Sequence, residues 1–374
     1  MTNKSILIVT SEFPPLPGGI GNHAYNLAVY LVKHGYKVRV LTNYRADSEE
    51  QYQQFLAENK TLEITMVPRL GSAFATYHAR LQAYRRLLKE ESSDVVFSGK
   101  FSVWLAALGL HKKKAWAIIH GSEIQQQGLK RWWFNRGLLT MDALISVSSF
   151  TEALLIKSYP HLSKFPHVVI NNGFSLTQHG LASAERPHPQ AETCRIITVG
   201  GMHPRKGQHN IISALPTINQ YFREVEYIIA GLPNTMPALQ ALAKELKVEH
   251  QVRFVVSPET PELIELLQQA HVFAMLSETM PNGDIEGFGI AILEGMSLGL
   301  PAIGSANSGI RDAINNGHSG YLVNDIHNPD EIATVLKAIM MDYTRFSNAA
   351  QTWSARFTWE KVILQYLHLF ESTS

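Results

Sequence analysis

The sequence predicts an α/β protein of two doubly wound domains, each built around a parallel sheet. Short apolar runs typical of buried parallel strands alternate with stretches of helical spacing along the whole chain. The length of 374 residues suits about two domains of ordinary size. We expect a first domain over residues 1–172, a polar linker over 173–193, a second domain over 194–356 and a terminal helix over 357–374.

The composition is that of a globular protein. Hydrophobic residues make up 45% of the chain and charged residues 17%. No apolar run reaches the ~18 residues that a transmembrane helix needs, and a strand pattern begins at Ser5 without a signal-peptide pattern before it. The single cysteine, Cys194, permits no internal disulfide, which agrees with a reducing compartment. We therefore expect a cytoplasmic protein.

The first domain is predicted to begin with a strand, a glycine-rich loop and a helix. Ser5 to Ser11 is almost continuously apolar, Gly18 and Gly19 lie in the loop, and helical spacing begins at Asn22. This layout presents backbone amides to a phosphate, although a plain tight turn explains the loop equally well. The loop is not G-x-G-x-x-G, and the next strand ends without an acid for a ribose. No nicotinamide cofactor is therefore predicted.

The rest of the first domain repeats the alternation of strands and helices. The candidate strands are Leu62–Val67, Asp94–Phe97, Ala115–His120 and Ala143–Ser146, and the candidate helices are 74–89 and 151–158. Ligands of such sheets bind beyond the carboxyl ends of the strands. His120 stands at one of these ends and is our candidate among the 16 histidines. A packing role is the alternative for this side chain.

The second domain repeats the same layout with a basic loop. Its candidate strands are Arg195–Val199, Tyr227–Gly231, Val252–Val256, Val272–Leu276, Ala302–Ile303 and Gly320–Val323. The loop after the first of them contains Arg205 and Lys206 and leads into a helix at Gln208. Cationic side chains in such a loop can neutralise a phosphate that the helix N-terminus attracts.

A glycine-rich acidic loop runs into a helix within residues 277–299. Glycine and proline over residues 281–289 exclude an ordinary helix interior and let backbone amides approach a ligand closely. The helical pattern then starts at Ile290. Glu286 lies in the loop and Glu294 on the helix, so the two carboxylates can hold different parts of one extended ligand.

The spacing Glu286-x7-Glu294, with Gly-Phe-Gly between, resembles the signature of the retaining glycosyltransferases of family four. These enzymes have the GT-B fold, in which two Rossmann-like domains face a cleft, and the resemblance extends over nearly the whole chain. It implies that Glu286 lies by the donor sugar and that Glu294 binds the ribose hydroxyls of the nucleotide. It also implies that the backbone amides of Gly287, Phe288, Gly289 and Ile290 hold sugar hydroxyls. Val256 would border the nucleobase, largely through its backbone.

The resemblance also assigns roles outside this stretch. It implies that the Gly18–Gly19 amides face the donor diphosphate and that His120 lies near the sugar. Lys206 matches a lysine that clamps the diphosphate, whereas Gly201 stands where the family has an arginine. The clamp is therefore one cation short unless Arg205 reaches inward.

The activity implied is transfer of a hexose-type sugar from UDP- or GDP-sugar to a hydroxyl of a glycan or lipid-linked acceptor, with retention of configuration. His120, Glu286 and Lys206 would be the catalytic residues, and the nucleotide sugar is a substrate, so no cofactor is expected. Asp284 and Glu286 superficially mimic a metal-binding Asp-x-Asp, but Lys206 and backbone amides can neutralise the diphosphate, so no metal is expected. The alternatives are a sugar epimerase on the same fold and a binding or scaffold protein with a weak site.

Charge is distributed unevenly along the chain. Residues 1–170 carry 20 lysines and arginines against 12 acidic residues, although the whole chain has a net charge of only +1. Cations stand beside aromatic residues, which suits an anionic membrane surface. The relevant groups are Arg80, Arg85 and Arg86, Lys112–Lys114 before Trp116, and the segment Lys130–Arg136. A solvated basic face with the rings turned inward is the alternative, and the absence of a nucleic-acid-binding motif argues against nucleic acid.

Overall fold

A computed structural model describes residues 4–15, 18–45, 49–175, 189 and 192–372. The chain divides into two compact units. Unit 1 is the chain up to Asn172 together with the segment that starts at Trp359, and unit 2 runs from Gly173 to Thr358. Most of the predicted linker lies outside the described residues.

Unit 1 is built on a seven-stranded parallel sheet. Its strands are β1 (Ser5–Thr10), β2 (Lys37–Tyr44), β3 (Glu63–Pro68), β4 (Asp94–Ser98), β5 (Ala115–Ile119), β6 (Ala143–Ser146) and β7 (His167–Val169). Its first helices are α1 (Gly19–Lys33), α2 (Glu49–Glu58), α3 (Ala73–Glu90), α4 (Lys100–Ala106), α5 (Gly128–Leu138) and α6 (Ser149–Ser158). The strand order is β3-β2-β1-β4-β5-β6-β7. This order reverses at β1, which is the place where doubly wound sheets bind ligands.

Unit 2 repeats the architecture with six parallel strands. They are β8 (Thr193–Val199), β9 (Glu224–Gly231), β10 (Val252–Val256), β11 (Val272–Met275), β12 (Ala302–Ser305) and β13 (Gly320–Val323). The helices are α7 (Gln208–Ile218), α8 (Met236–Glu245), α9 (Thr260–Gln269), α10 (Ile290–Ser297), α11 (Pro329–Met341) and α12 (Tyr343–Ser354). The strand order is β10-β9-β8-β11-β12-β13. The order reverses at β8, so the loop after β8 lies where a ligand is expected.

The last helix of the chain, α13 (Trp359–Ser372), belongs to unit 1 and packs against α1. Its apolar face is aromatic. Trp359 stacks on Tyr30 with ring centroids 6.0 Å apart, and Phe370 packs against the fully buried Trp116 of β5 at 4.3 Å. The hydroxyl of Tyr366 lies 3.0 Å from Nε2 of His23 in α1. The helix therefore closes the core of unit 1 and reaches a polar group inside it.

A close contact between two backbone segments fixes the loop that follows β8. Gly207 has φ of 71°, and a Cβ on it would lie 1.8 Å from the carbonyl oxygen of Leu276, directly after β11. Any larger residue would push this loop off the sheet. The short 3-10 turn Pro204–Lys206 is thereby held at the carboxyl end of β8 and β11.

No helix among the described residues is both long and apolar enough to cross a membrane.

Candidate active site

A cluster of charged side chains lies at the carboxyl end of the sheet in unit 2. Nζ of Lys206 lies 2.6 Å from Oε2 of Glu286, and the Arg205 guanidinium donates to the same oxygen. Nε of Arg205 faces Oδ2 of Asp284 at 3.2 Å. The two cations come from the turn after β8 and the two acids from the loop before α10. Two loops about eighty residues apart in sequence are thus joined by one carboxylate oxygen.

Glu286 is ionised because of these neighbours. Burial by itself raises the pKa of its carboxyl, but the charges of Lys206 and then Arg205, with their hydrogen bonds, outweigh burial and hold the pKa at about 2. A group with this pKa gives no proton to a leaving group at neutral pH. Glu286 can therefore act as a hydrogen-bond acceptor or as a counter-charge, and not as a general acid.

Glu294 behaves in the opposite way. It lies on α10 and is partly buried, and burial raises the pKa of its carboxyl although the charge of Lys206 works against the rise. In the described part of the chain its side chain has no hydrogen-bond partner. A half-buried carboxylate gains most from donors that a ligand supplies. Two adjacent hydroxyl groups would meet this need.

The loop that carries Glu286 is pinned by its backbone. The amide of Gly309 donates to the carbonyl of Glu286 at 3.0 Å. A Cβ on Gly309 would lie 1.9 Å from the carbonyl oxygen of Gly287, so only glycine permits this approach. Phe288 is 1% exposed, so its ring is part of the core and only its backbone can face a ligand. Gly289 (φ 91°) precedes α10, whose first residue is Ile290.

The loop after β8 leaves space at Gly201, where the resemblance implies an arginine. The side chain of Lys206 runs over Gly200, where a Cβ would lie 3.2 Å from its Cε. A Cβ on Gly201 would meet nothing closer than Nδ2 of Asn234 at 3.8 Å. Val256, the predicted donor contact at the end of β10, is 49% exposed and so is accessible to a ligand. Position 201 can therefore accept a Cβ without displacing its surroundings.

His120 lies in unit 1, directly after β5, in a buried polar cluster. Its Nε2 is 2.9 Å from Oγ of Ser98 at the end of β4, and its backbone amide donates to Oε1 of Glu123 at 2.7 Å. The ring packs edge-on against His23, with centroids 5.2 Å apart. Burial lowers the pKa of His120 to about 3. The imidazole is therefore neutral at physiological pH and can position a hydroxyl without carrying charge.

The Gly18–Gly19 loop contains a feature that the sequence interpretation missed. A Cβ on Gly18 would lie 2.6 Å from Oε2 of Glu12, so this carboxylate lies against the loop. Burial raises the pKa of Glu12, and Arg69 lowers it in part. A diphosphate at the loop would face this acid.

The structure brings Arg205, Lys206 and Glu286 together in unit 2, with the charge of Glu294 close enough to act on Lys206. Gly18, Gly19 and His120 lie in unit 1. Sequence reasoning missed the support that Ser98 and His23 give to His120. The position of Ser98 at the end of the strand adjacent to β5 could have indicated it.

Comparisons with known proteins cover both units. Residues 17–178 match the family described as Glycosyltransferase Family 4, and residues 185–353 match Glycosyl transferases group 1. This chain belongs to glycosyltransferase family four. It is a glycosyltransferase that acts on a nucleotide sugar, and its two Rossmann-like units form the GT-B fold predicted from the sequence.

The individual relatives have low sequence identity but align over nearly the full length of this chain. The chain is 26% identical to a GDP-mannose-dependent alpha-(1-6)-phosphatidylinositol monomannoside mannosyltransferase of Mycobacterium tuberculosis, over 95% of each chain. HepE of Anabaena, solved with UDP and glucose, superposes with a TM-score of 0.76 at 17% identity and covers 99% of this chain and 100% of that one. Sucrose-phosphate synthase of Thermosynechococcus elongatus gives 0.77 at 17% identity, over 99% of each chain.

The first prediction concerns the carboxylate shared by the two cations. Glu286→Gln removes an anion that competes with the diphosphate for Arg205 and Lys206. We expect the affinity for GDP or UDP to rise about ten- to a hundredfold, because a charge-assisted contact contributes roughly 1.5 to 3 kcal/mol, while turnover falls. Isothermal titration calorimetry measures the affinity.

The control is Glu278→Gln, which removes the same charge from a nearby acid that pairs with His209 at 2.8 Å. Its nucleotide affinity should match that of the wild type. Unchanged or weaker binding in Glu286→Gln would show that this carboxylate does not compete with the diphosphate.

The second prediction concerns pH. The pKa of His120 is about 3 in the folded chain against an ordinary 6.5, so the unfolded chain takes up the proton first. The contribution of His120 to stability is therefore constant above pH 6.5 and falls by about 1.4 kcal/mol per unit of acidification between these values. Urea unfolding at several pH values measures this slope. His120→Asn should make the slope shallower by this amount, although the buried His23, whose pKa burial also lowers, still contributes. The exposed control His78→Gln should leave the slope unchanged. Equal slopes in all three proteins would contradict a neutral buried His120.

Proposed function

We propose that this glycosyltransferase transfers a hexose-type sugar, with retention of configuration and without a metal ion, to an acceptor hydroxyl of a lipid-linked or cell-envelope glycan. The observation that carries the proposal is the convergence of Arg205 and Lys206 on one oxygen of Glu286. Two cations held this closely form a site for a ligand with more than one negative charge. A nucleoside diphosphate is such a ligand.

The proposed chemistry depends on the departing diphosphate. When the bond from the anomeric carbon to the diphosphate oxygen breaks, negative charge develops on that oxygen. Lys206 and Arg205 would stabilise this charge from fixed positions. Arg205 thus supplies the second cation that Gly201 lacks. Glu294 would accept hydrogen bonds from the ribose hydroxyls, and neutral His120 would position the donor sugar.

Metal independence is supported by the pairing of the acids. Asp284 and Glu286 both lie against Arg205, and Glu286 also against Lys206. Their charge is already balanced by protein cations, so they have little left to attract a divalent ion. The same two cations neutralise the diphosphate, which is the task a metal performs in other glycosyltransferases.

GDP-mannose is the donor to test first. The mycobacterial relative is named as GDP-mannose-dependent and acts on a phosphatidylinositol monomannoside, whereas HepE was solved with UDP. An epimerase on the same fold would release nucleotide without an acceptor, and a scaffold protein would bind no nucleotide.

The third prediction tests this proposal through the clamp. Arg205→Ala and Lys206→Ala should each weaken GDP or UDP binding about ten- to a hundredfold, since each removes a charged hydrogen bond. Gly201→Arg in the Arg205→Ala background should restore much of the loss, because position 201 accepts a Cβ without displacing its surroundings. Calorimetry in excess EDTA measures all of them.

The matched control is Lys244→Ala, which removes an exposed cation of α8, and it should bind like the wild type. Sugar transfer is then measured with a labelled mannose or glucose donor, as the label that becomes attached to lipids of a membrane extract. Absence of nucleotide binding in the wild type would refute the proposal in favour of a scaffold. Nucleotide release that needs no acceptor would indicate the epimerase, and binding that EDTA abolishes would refute metal independence.

The exposed surface of α4 and α5 in unit 1 supports the proposal that the protein acts at a membrane. On α5, Leu129 is 79% exposed and Trp132 54% exposed, with Lys130 beside them, and Phe101 of α4 is 44% exposed. Other members of the basic surface predicted from the sequence are not exposed. Arg80 is buried, which is a correction, and Trp116 and Phe134 are turned inward, as the alternative interpretation expected. We propose that the exposed face of α4 and α5, and not the whole basic half, meets anionic lipid.

The fourth prediction tests this face by sedimentation with liposomes. Binding should require anionic lipid and fall with salt, and Lys130→Glu with Trp132→Ser should weaken it at least tenfold, because each cation near such a surface gains about 1 kcal/mol and the ring adds apolar burial. Lys244→Glu in unit 2 is the control. Protein that stays in the supernatant with both neutral and anionic lipid at low salt would contradict the proposal.

A further inference from the structure

Two arginines of unit 1 bind consecutive carbonyl groups where β1 ends. Arg80 of α3 donates from NH2 to the carbonyl of Thr10 at 3.0 Å, and Arg69, directly after β3, donates to the carbonyl of Ser11 at 3.4 Å. Both guanidinium groups therefore lie at the carboxyl end of β1. This is the strand at which the order of the sheet reverses, where doubly wound folds bind ligands.

Neither arginine forms an ion pair with an acid in the described ranges, where no carboxylate oxygen lies within 4.0 Å of Arg69 or Arg80. Glu12 lies farther from Arg69 and acts on it only through its charge. Arg80 is only 2% exposed, its Nε has no hydrogen-bond partner, and its other side-chain contact is Oγ of Ser102 at 3.2 Å. Burial lowers its pKa to about 10, so it is still charged at neutral pH. A buried cation without a counter-charge is unfavourable unless an anion comes close.

The accessible part of this feature is Arg69 and the segment after it. Arg69 is exposed, Leu70 is 45% exposed and Phe74, in the first turn of α3, is 82% exposed. The segment is ordered by a hydrogen bond of 2.9 Å from the amide of Leu70 to Oγ1 of Thr76. A cation thus lies beside apolar side chains that nothing in unit 1 covers.

We infer that Arg69, with the charge of Arg80 beneath it, binds a phosphate group of the acceptor substrate. This inference rests on the proposed transferase function and adds a chemical class to it, namely a phosphate-bearing acceptor. The guanidinium of Arg69 would contact the phosphate oxygens directly, and Arg80 would act only through its charge. The same chemistry fits a lipid phosphate, whose chains would lie on Leu70 and Phe74, or a small phosphorylated polyol.

The fifth prediction uses two probes, glycerol 3-phosphate and dihexanoyl phosphatidic acid below its micelle concentration. The experiment is done in full-length chain carrying Arg205→Ala and Lys206→Ala, so that the phosphate cannot bind the cations of unit 2. Calorimetry should show binding of at least one probe, and Arg69→Gln should weaken it about tenfold or more, as expected for loss of a charged contact. Arg69→Lys should retain part of the affinity. Arg85→Gln, an exposed arginine of the same helix α3, should bind like its parent.

The two sources of phosphate are separated by Phe74→Ser. If the acceptor is a lipid phosphate, this variant weakens binding of phosphatidic acid and leaves glycerol 3-phosphate unchanged; if it is a small phosphate ester, both probes are unaffected. Absence of binding by either probe, or equal binding by Arg69→Gln and its parent, overturns the inference. Nucleotide binding by the otherwise unmodified Arg69→Gln chain is measured separately. Retained nucleotide affinity with no phosphate binding would reject this site and leave the proposed donor chemistry intact.

Discussion

The candidate donor site depends on one oxygen atom, Oε2 of Glu286, which two cations share. Lys206 and Arg205 are neighbours in one turn. Their positive charges repel each other, and an anion between them offsets this repulsion. Glu286 supplies that anion from a different loop. Removing one partner of such a group leaves an uncompensated, partly buried charge, which is far more costly than losing an exposed pair. The geometry of both loops is therefore tied to this contact.

The glycines of unit 2 make the contact possible. Gly207 lets the cationic turn lie on the carbonyl of Leu276, and Gly309 lets the acidic loop lie on its neighbour. Gly200 leaves room for the lysine side chain. The two glutamates then separate in role through their surroundings alone. Glu286, between cations, has a lowered pKa, whereas Glu294, facing no hydrogen-bond donor of the described chain, has a raised one. Environments that move two acids in opposite directions are a mark of divided chemical roles.

Much of this could be predicted from the sequence, because periodicity and glycine placement report local geometry. The ends of the predicted strands lie within about three residues of the observed ones, and the spacing of Glu286 and Glu294 identified the acidic loop and its helix. Partners and orientations could not be predicted. The burial of Arg80 and the inward direction of Arg205 depend on contacts with residues far away in sequence. Helix α5 was among the helices not predicted, since cations and aromatic residues follow one another within it and give no clear apolar stripe in the sequence.

The same physical reasoning separates the cations of the two units. In unit 2 an internal carboxylate already balances Arg205 and Lys206, so a ligand must exchange with Glu286 instead of filling an unbalanced site. A ligand with a single negative charge would gain little binding free energy from that exchange, because its charge equals that of the carboxylate it displaces. A diphosphate brings more charge and several oxygens, so it can satisfy both cations and leave Glu286 to accept hydrogen bonds from elsewhere. In unit 1, no carboxylate lies within 4.0 Å of Arg69 or Arg80 in the described part of the chain, and Glu12 acts on Arg69 only from farther away. A single phosphate group would be sufficient there. On our proposals, the placement of carboxylates would thus decide which class of anion each group of cations prefers.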